Sequence, residues 1–196
     1  MIEYRTGEAT DSRAIASLMC QAGGGLMEYL LEGVLPNCSP LDVLELAITD
    51  EDSPLNHENA VLGVAEDQII ALLLSYPTQK FGLDDIMQEN VPADRLDHLK
   101  ALFGTPMPKG LYVNSVAVDA AFGGHGIGGT LMTIADTLAL AQGFDTICLH
   151  VWADNPGAIH MYETAGFQIS ADIPVVRHPL LPHDGGKYLM VKKITE

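Results

Sequence analysis

The sequence predicts an α/β fold with a central, mixed and mostly antiparallel sheet, on three observations. Two apolar runs, Ala60 to Ala65 and Gln68 to Ser75, meet at Glu66-Asp67 and read as a β-hairpin. Further on, a strand (Leu111 to Val118), a glycine-rich turn, an apolar helix (about Ile127 to Ala141) and a strand (Thr146 to Val151) follow one another. A right-handed crossover through that helix makes the two strands parallel. Two last apolar runs, Gln168 to Val176 and Lys187 to Lys193, close the chain as strands around a loop carrying Pro179, Pro182 and Gly185-Gly186.

The remaining elements follow in order. Ile2 to Arg5 is a short first strand. Thr10-Asp11 is placed to cap a helix over Ser12 to Gln21, whose Ile15, Leu18 and Met19 share a face. Gly23-Gly24-Gly25 breaks it, and a second apolar helix covers Leu26 to Leu31. Ser39-Pro40 pairs a cap with a proline at the first helical position and opens Leu41 to Ile48. Thr78 to Gly110 is richer in Asp, Pro and Gln, and reads as an insertion between strands with a helix over Ala93 to Phe103. Asn155-Pro156 opens a short helix that stops at Gly166-Phe167. With 196 residues and no repeat or low-complexity linker, the expectation is a single domain over 1–196, with 78–110 inserted.

Composition narrows the function. The chain is 47% hydrophobic and 18% charged, as a folded protein is. A net charge of −16 without a basic run argues against nucleic acid as a partner, because phosphate neutralisation needs clustered Lys and Arg. The same charge steers cationic acceptors, and equally it promotes solubility. Cys20, Cys38 and Cys148 show neither a disulfide framework nor zinc spacing, and point to a reducing, cytoplasmic setting. No apolar stretch approaches the roughly 18 residues of a membrane span. The histidines lack HExxH-type spacing, and no metal is expected.

The segment with most chemical content runs from Val116-Ala117-Val118 to Gly123-Gly124-His125-Gly126-Ile127-Gly128-Gly129. Five glycines in seven positions between a strand and a helix let the main chain approach an anion. The first helical amides lack internal partners, and with the helix dipole they form a pyrophosphate site without basic side chains. A turn that merely needs glycine is the plain alternative. Gly124-x-Gly126-x-x-Gly129 also matches a dinucleotide fingerprint, but that motif expects an acid about 20 residues on, after the next strand. Asp145 precedes that strand and Asp154 lies further along.

Gly126-Ile127-Gly128 followed by Thr130-Leu131-Met132, after the triplet Val116-Ala117-Val118, resembles the coenzyme A loop of GNAT acetyltransferases. That loop typically reads Gln/Arg-x-x-Gly-x-Gly/Ala, and Gly123 occupies the Gln/Arg position here. A second constellation, Asn155-x-x-Ala158-x-x-x-Tyr162-x-x-x-Gly166-Phe167, resembles the family's later motif. Asn155 and Tyr162 share a helix face across two turns. The resemblance covers about Leu111 to Phe167. It implies the acyl-CoA acyltransferase fold, with the two parallel strands splayed by a β-bulge near Val116–Val118. It further implies acetyl-CoA as co-substrate and Tyr162 as the acid that protonates the leaving thiolate. The amide of Val116 would hold the thioester oxygen, Gly124 to Gly129 the pyrophosphate, and Asn155 the pantetheine arm. Taken alone, Asn155 is a helix N-cap and Tyr162 a half-buried core aromatic.

No general base is evident. The stretch Tyr112-Val113-Asn114-Ser115 has no carboxylate, and strand alternation turns only one of Asn114 and Ser115 toward a substrate. His150 and His160 fall near the second motif, but a lone histidine is more often surface or structural. The expected function is N-acetyl transfer from acetyl-CoA to a primary amine, the acceptor being a small molecule whose identity the sequence leaves open. A protein N-terminus is also compatible. Rival readings are a non-catalytic acetyl-CoA sensor, suggested by Gly123, and a dinucleotide-dependent oxidoreductase. Specificity, or a homodimer contact, is expected in the Leu26–Ile48 helices and the 78–110 insertion.

Overall fold

The computed structural model describes residues 1–82 and 90–194. Within them the apolar runs form strands β1 (Glu3–Thr6), β2 (Ala60–Ala65), β3 (Gln68–Pro77), β4 (Leu111–Val118), β5 (Thr146–Trp152), β6 (Gln168–Ile173) and β7 (Lys187–Lys193). They make one open sheet in the order β1-β2-β3-β4-β5-β7-β6. Every neighbouring pair is antiparallel except β4 and β5. The β2–β3 turn falls at Glu66-Asp67 as expected, both with positive φ (51° and 62°). That geometry matches the twist of the strands, and Glu and Asp there cost strain of order 1 kcal/mol each.

Helices α1 (Ser12–Gly23), α2 (Leu26–Leu31) and α3 (Pro40–Thr49) cover one face of the sheet, and α6 (Ile127–Ala141) and α7 (Pro156–Thr164) the other. Among the described residues two short helices, α4 (Ala93–His98) and α5 (Lys100–Gly104), lie between β3 and β4. Alternation along the strands divides the core. Ile15, Met19, Leu44 and Ile48 pack on Leu62, Leu72 and Leu74 on the first face, and Leu131 and Ala135 pack on Ile70, Leu73 and Leu111 on the second. Each such large apolar side chain contributes about 1.5–3 kcal/mol when fully buried.

Three expectations are corrected. The single helix over Ala93 to Phe103 is two, broken at Leu99, whose fully buried side chain anchors the break. Within the 78–110 excursion the helical part thus runs from Ala93 to Gly104, while 83–89 lie outside the described residues. The strand after α7 stops at Ile173 rather than Val176. Asp11 does not cap α1. Its carboxylate takes a bidentate pair from Arg5 (2.7 and 2.9 Å) and the amide of Glu8 (2.8 Å), and charge-assisted bonds of that kind outcompete a cap. The Ser39 cap forms as expected, with Asp42 bonding back to the Ser39 amide at 2.8 Å.

Candidate active site

β4 and β5 pair only over Leu111–Val113 and Ile147–Leu149, and beyond that point the sheet is open between them. The cause is local. The β3–β4 register shifts between Leu74, opposite Ser115, and Ser75, opposite Val113. Asn114 is thus the extra residue of a β-bulge, which bends β4 and increases its twist. The expected position, Val116–Val118, was two residues too far along. The bulge also overturns the expectation that one of Asn114 and Ser115 turns away: it shifts the phase of alternation, and both line the same cavity. Downstream, Ala117 joins the first core, and Val116 and Val118 pack on the second.

Main-chain direction follows from the same register. Asp119 N donates to Ile70 O on β3 (2.8 Å), whereas the Val118 carbonyl accepts from Gln21 Nε2 of α1 (2.9 Å). In an antiparallel ladder alternate residues face alternate sides, so the N–H and C=O of Val116 also point away from β3, into the opening left by β5.

The glycine loop lies at the end of that opening. A short turn (Ala120–Phe122) is capped by Asp119, and Gly124 and Gly126 take positive φ of 77° and 76°. His125 is exposed, its ring nitrogen 3.1 Å from the Phe122 carbonyl. The first intrahelical bond of α6 is Thr130 N to Gly126 O, which leaves the amides of Ile127, Gly128 and Gly129 without helical partners. The glycines differ in what they allow. A Cβ at Gly124, Gly126 or Gly129 would meet open space, and one at Gly123 would press on Ala120 O at 3.3 Å. One at Gly128 would lie 2.5 Å from Met161 Sδ on α7. A side chain at Gly128 would thus require Met161 to shift, whereas Gly124, Gly126 and Gly129 leave a cradle clear.

In α7, Asn155 Oδ1 accepts from Ala158 N (3.1 Å), the N-cap role. Tyr162 is buried against the edge of Phe167, with ring centroids 5.8 Å apart. Burial pushes its phenol up to about 12, so it holds its proton throughout the physiological range. Among the described residues no protein group bonds its hydroxyl.

On the other side of the sheet is a cavity of about 640 Å³, within the range of small-molecule sites. Its walls are apolar: Leu26, Met27 and Leu30 of α2, Val43 and Leu44 of α3, Leu102 and Phe103 of α5, and Phe81. Its floor is polar. Ser115 Oγ donates to Asn114 Oδ1 (2.9 Å), and Asn114 Nδ2 donates to the Tyr76 hydroxyl (3.0 Å). The Tyr112 hydroxyl lies 3.0 Å from His150 Nδ1, while His150 Nε2 is buried with no hydrogen-bond partner. Burial lowers His150 to about 3 and keeps the imidazole neutral, with the Lys187 charge a smaller contribution. Lys187, 7% exposed, also lines the cavity, and burial lowers it to about 8. Tyr76, Tyr112 and Lys187 escaped the sequence reading as site residues, and His150 was noted there only as a histidine near the second motif. The available signal was phase: the parallel register sets Tyr112 beside Cys148, and His150 lies two residues on, on the same face of β5.

No group of three or more His, Cys, Asp or Glu side chains placed to hold a metal occurs among the described residues. Nor is any helix among them long and apolar enough to cross a membrane. A sheet with one parallel pair is also not the doubly wound parallel sheet of dinucleotide-binding domains.

An open sheet splayed between its two parallel strands, with unpartnered helix amides at the end of the gap, is the arrangement that the resemblance to acyl-CoA acyltransferases led one to expect. The family model described as "Acetyltransferase (GNAT) family" matches residues 40–167, more than half of the chain, and the chain belongs to that family of acetyl-CoA-dependent enzymes. Among solved structures, one described as an acetyltransferase superposes with a TM-score of 0.71 at 21% identity, over 98% of this chain and 100% of that one. An N-acetyltransferase from Staphylococcus aureus Mu50 gives 0.70 at 20%, over 96% and 99%. A chain of the NatC complex bound to Gag peptide and CoA gives 0.57 at 16%, over 99% of each. At these identities the likeness is one of fold. No curated protein sequence matches the chain.

Proposed function

We propose that this protein transfers the acetyl group of acetyl-CoA directly to a primary amine held in the 640 Å³ cavity. The observation that carries this reading is the β4–β5 opening, which has the unpartnered amides of α6 beyond the end of β4 and the cavity-floor residues Asn114, Ser115 and His150 on its two strands. In this reading the pyrophosphate lies on the amides of Ile127 to Gly129, within the cradle that Gly124 and Gly126 keep clear, and Asn155 abuts the pantetheine arm. The Val116 amide donates to the thioester oxygen and stabilises the charge that develops there.

The proton inventory then closes. The amine nitrogen bonds to the acyl carbon and gives up a proton to His150 Nε2, which is free to accept it in the tautomer whose Nδ1–H donates to Tyr112. The C–S bond breaks, its electron pair stays on sulfur, and the thiolate takes the Tyr162 proton. Asn114 and Ser115 hold the acceptor between them. Acetyl-CoA supplies the activated acyl group, and this chain's own groups orient, polarise and exchange protons.

The test is calorimetric titration with acetyl-CoA, with NAD as control, followed by thiol release across a library of amines. Micromolar acetyl-CoA binding, and turnover that Tyr162→Phe lowers without weakening cofactor binding, are the expected results. Binding of acetyl-CoA with no amine turned over would replace the enzyme reading by the sensor reading.

A further inference from the structure

The cavity walls are apolar and its rim carries the exposed Asp50, Asp52 and Lys80, yet its depth holds one cation. Among the described residues nothing accepts a hydrogen bond or an ion pair from the Lys187 ammonium, which instead lies 4.4 Å from the centre of the Trp152 ring. The ammonium thus faces the cavity with no counter-ion, and a cation–π contact replaces only part of the hydration that this enclosure removes. A ligand carboxylate would complete the site.

Sheet register fixes where that carboxylate would lie. Trp152 pairs with Lys187 and His150 with Leu189 across β5 and β7. His150 and Lys187 are therefore diagonal neighbours on one face, about 7–8 Å apart at the main chain, and their side chains converge on the same floor. A ligand spanning them carries its amine and its anion a few bonds apart, with an apolar body to fill the walls.

Building on the acetyltransferase reading, we propose that the acceptor is a free α-amino acid with a large apolar side chain. Its carboxylate pairs with Lys187, its α-amine meets His150, and its side chain packs among Leu26, Leu30, Leu44, Leu102 and Phe103. The ammonium of the zwitterion first releases one proton to solvent; the neutral amine nitrogen then forms the new N–C bond and gives its second proton to His150, the acyl C–S bond breaks, coenzyme A leaves as the thiol, and the product keeps its carboxylate as an N-acetyl amino acid. The alternatives fit less well. A polyamine sets an ammonium beside Lys187. A peptide N-terminus has an amide where the carboxylate is needed and leaves the lysine unpaired. A zwitterion with no net charge is also not repelled by a protein of −16.

The decisive assay is thiol release by the wild-type protein with L-phenylalanine, L-leucine and L-methionine, each against its own amide and against a tetrapeptide beginning with the same residue. The free acids are expected to exceed their amides in kcat/KM by about 10–100-fold. Lys187→Met should bring that ratio close to one, and Lys187→Arg should restore part of it. Amides or peptides turned over as well as the free acids would overturn the carboxylate assignment and leave the acetyltransferase reading standing. Acetyl-CoA binding with no turnover of any of these amines or of a wider amine library would overturn both. The wild-type comparison decides the matter even if a Lys187 variant fails to fold.

Discussion

On the proposed cofactor side of the site, between β4 and α6, the surface is main chain: the amides of Val116 and of Ile127 to Gly129, kept open by glycines. On the proposed acceptor side it is side chain, with Leu26, Leu44, Phe103, Tyr76, Tyr112, His150 and Lys187 converging from separate elements. The two sides answer different demands. A pyrophosphate is the same for every acyl donor of this kind, and amide groups bind it whatever side chains surround them. An acceptor is recognised by shape and charge, which only side chains supply. The two sides should therefore be separable by mutation.

The largest expected effect breaks the acceptor side alone. His150→Ala removes the proposed base and should lower kcat by about 10²–10⁴-fold, the usual reach of a general base. Acetyl-CoA affinity by calorimetry should be unchanged. If affinity falls in step with kcat, the two sides are one coupled unit.

Next is the stability cost of the buried floor, read from urea midpoints against pH. Lys187 is lowered from an ordinary 10.5 to about 8. Between pH 8 and 10.5 the unfolded chain binds the extra proton, so wild-type stability should rise across that window, by up to a few kcal/mol. Lys187→Met should lack the rise and be the more stable protein at pH 7. His150 works in the same sense at lower pH. Lowered from 6.5 to about 3, it should cost stability as pH falls from 6.5 towards 3. His150→Gln should flatten that part of the curve. A glycine loop made of main chain has no such titration, so the pH profile isolates the acceptor side.

The cofactor side is tested at Gly126. Its φ of 76° is a conformation a β-branched residue rarely adopts, with strain of about 1–3 kcal/mol. Gly126→Val should relieve that strain by moving the start of α6, weakening acetyl-CoA binding roughly 10–100-fold. Acceptor preference, measured at saturating acetyl-CoA, should not move.

The same division governs what the sequence revealed. The glycine loop and the Asn155–Tyr162 face are local, each carried within one short segment, and the fold class followed from the hairpin, the strand–helix–strand crossover and the last two strands. The bulge at Asn114 was misplaced because it is a property of register against β3: nothing in Leu-Tyr-Val-Asn-Ser-Val-Ala-Val marks which residue is the extra one. Tyr112 and His150 were not brought together by the sequence because their pairing depends on the strands' relative register, which neither strand encodes alone. Lys187 resembled an ordinary end-of-strand lysine until Trp152 was found opposite it. Helix α1 was legible as a helix, but not its Gln21, which reaches the Val118 carbonyl inside the opening.

The smallest effect gives the sharpest contrast within one turn of helix. Gly128 and Gly129 are adjacent and both helical, and replacing glycine by alanine in a helix ordinarily gains about 0.5–1 kcal/mol. At Gly129 the added methyl meets open space, so Gly129→Ala should raise Tm by about 2–4 °C at most. At Gly128 the methyl must displace Met161, so the gain should vanish or reverse. Cofactor affinity then separates packing from binding. If pyrophosphate lies close over the amides, Gly129→Ala weakens acetyl-CoA binding although the protein is more stable, because the methyl stands in the cradle. A Gly129→Ala protein that is more stable and binds acetyl-CoA as before would move the phosphate contact toward Ile127 and Gly128, and would leave Gly129 as a helix residue only.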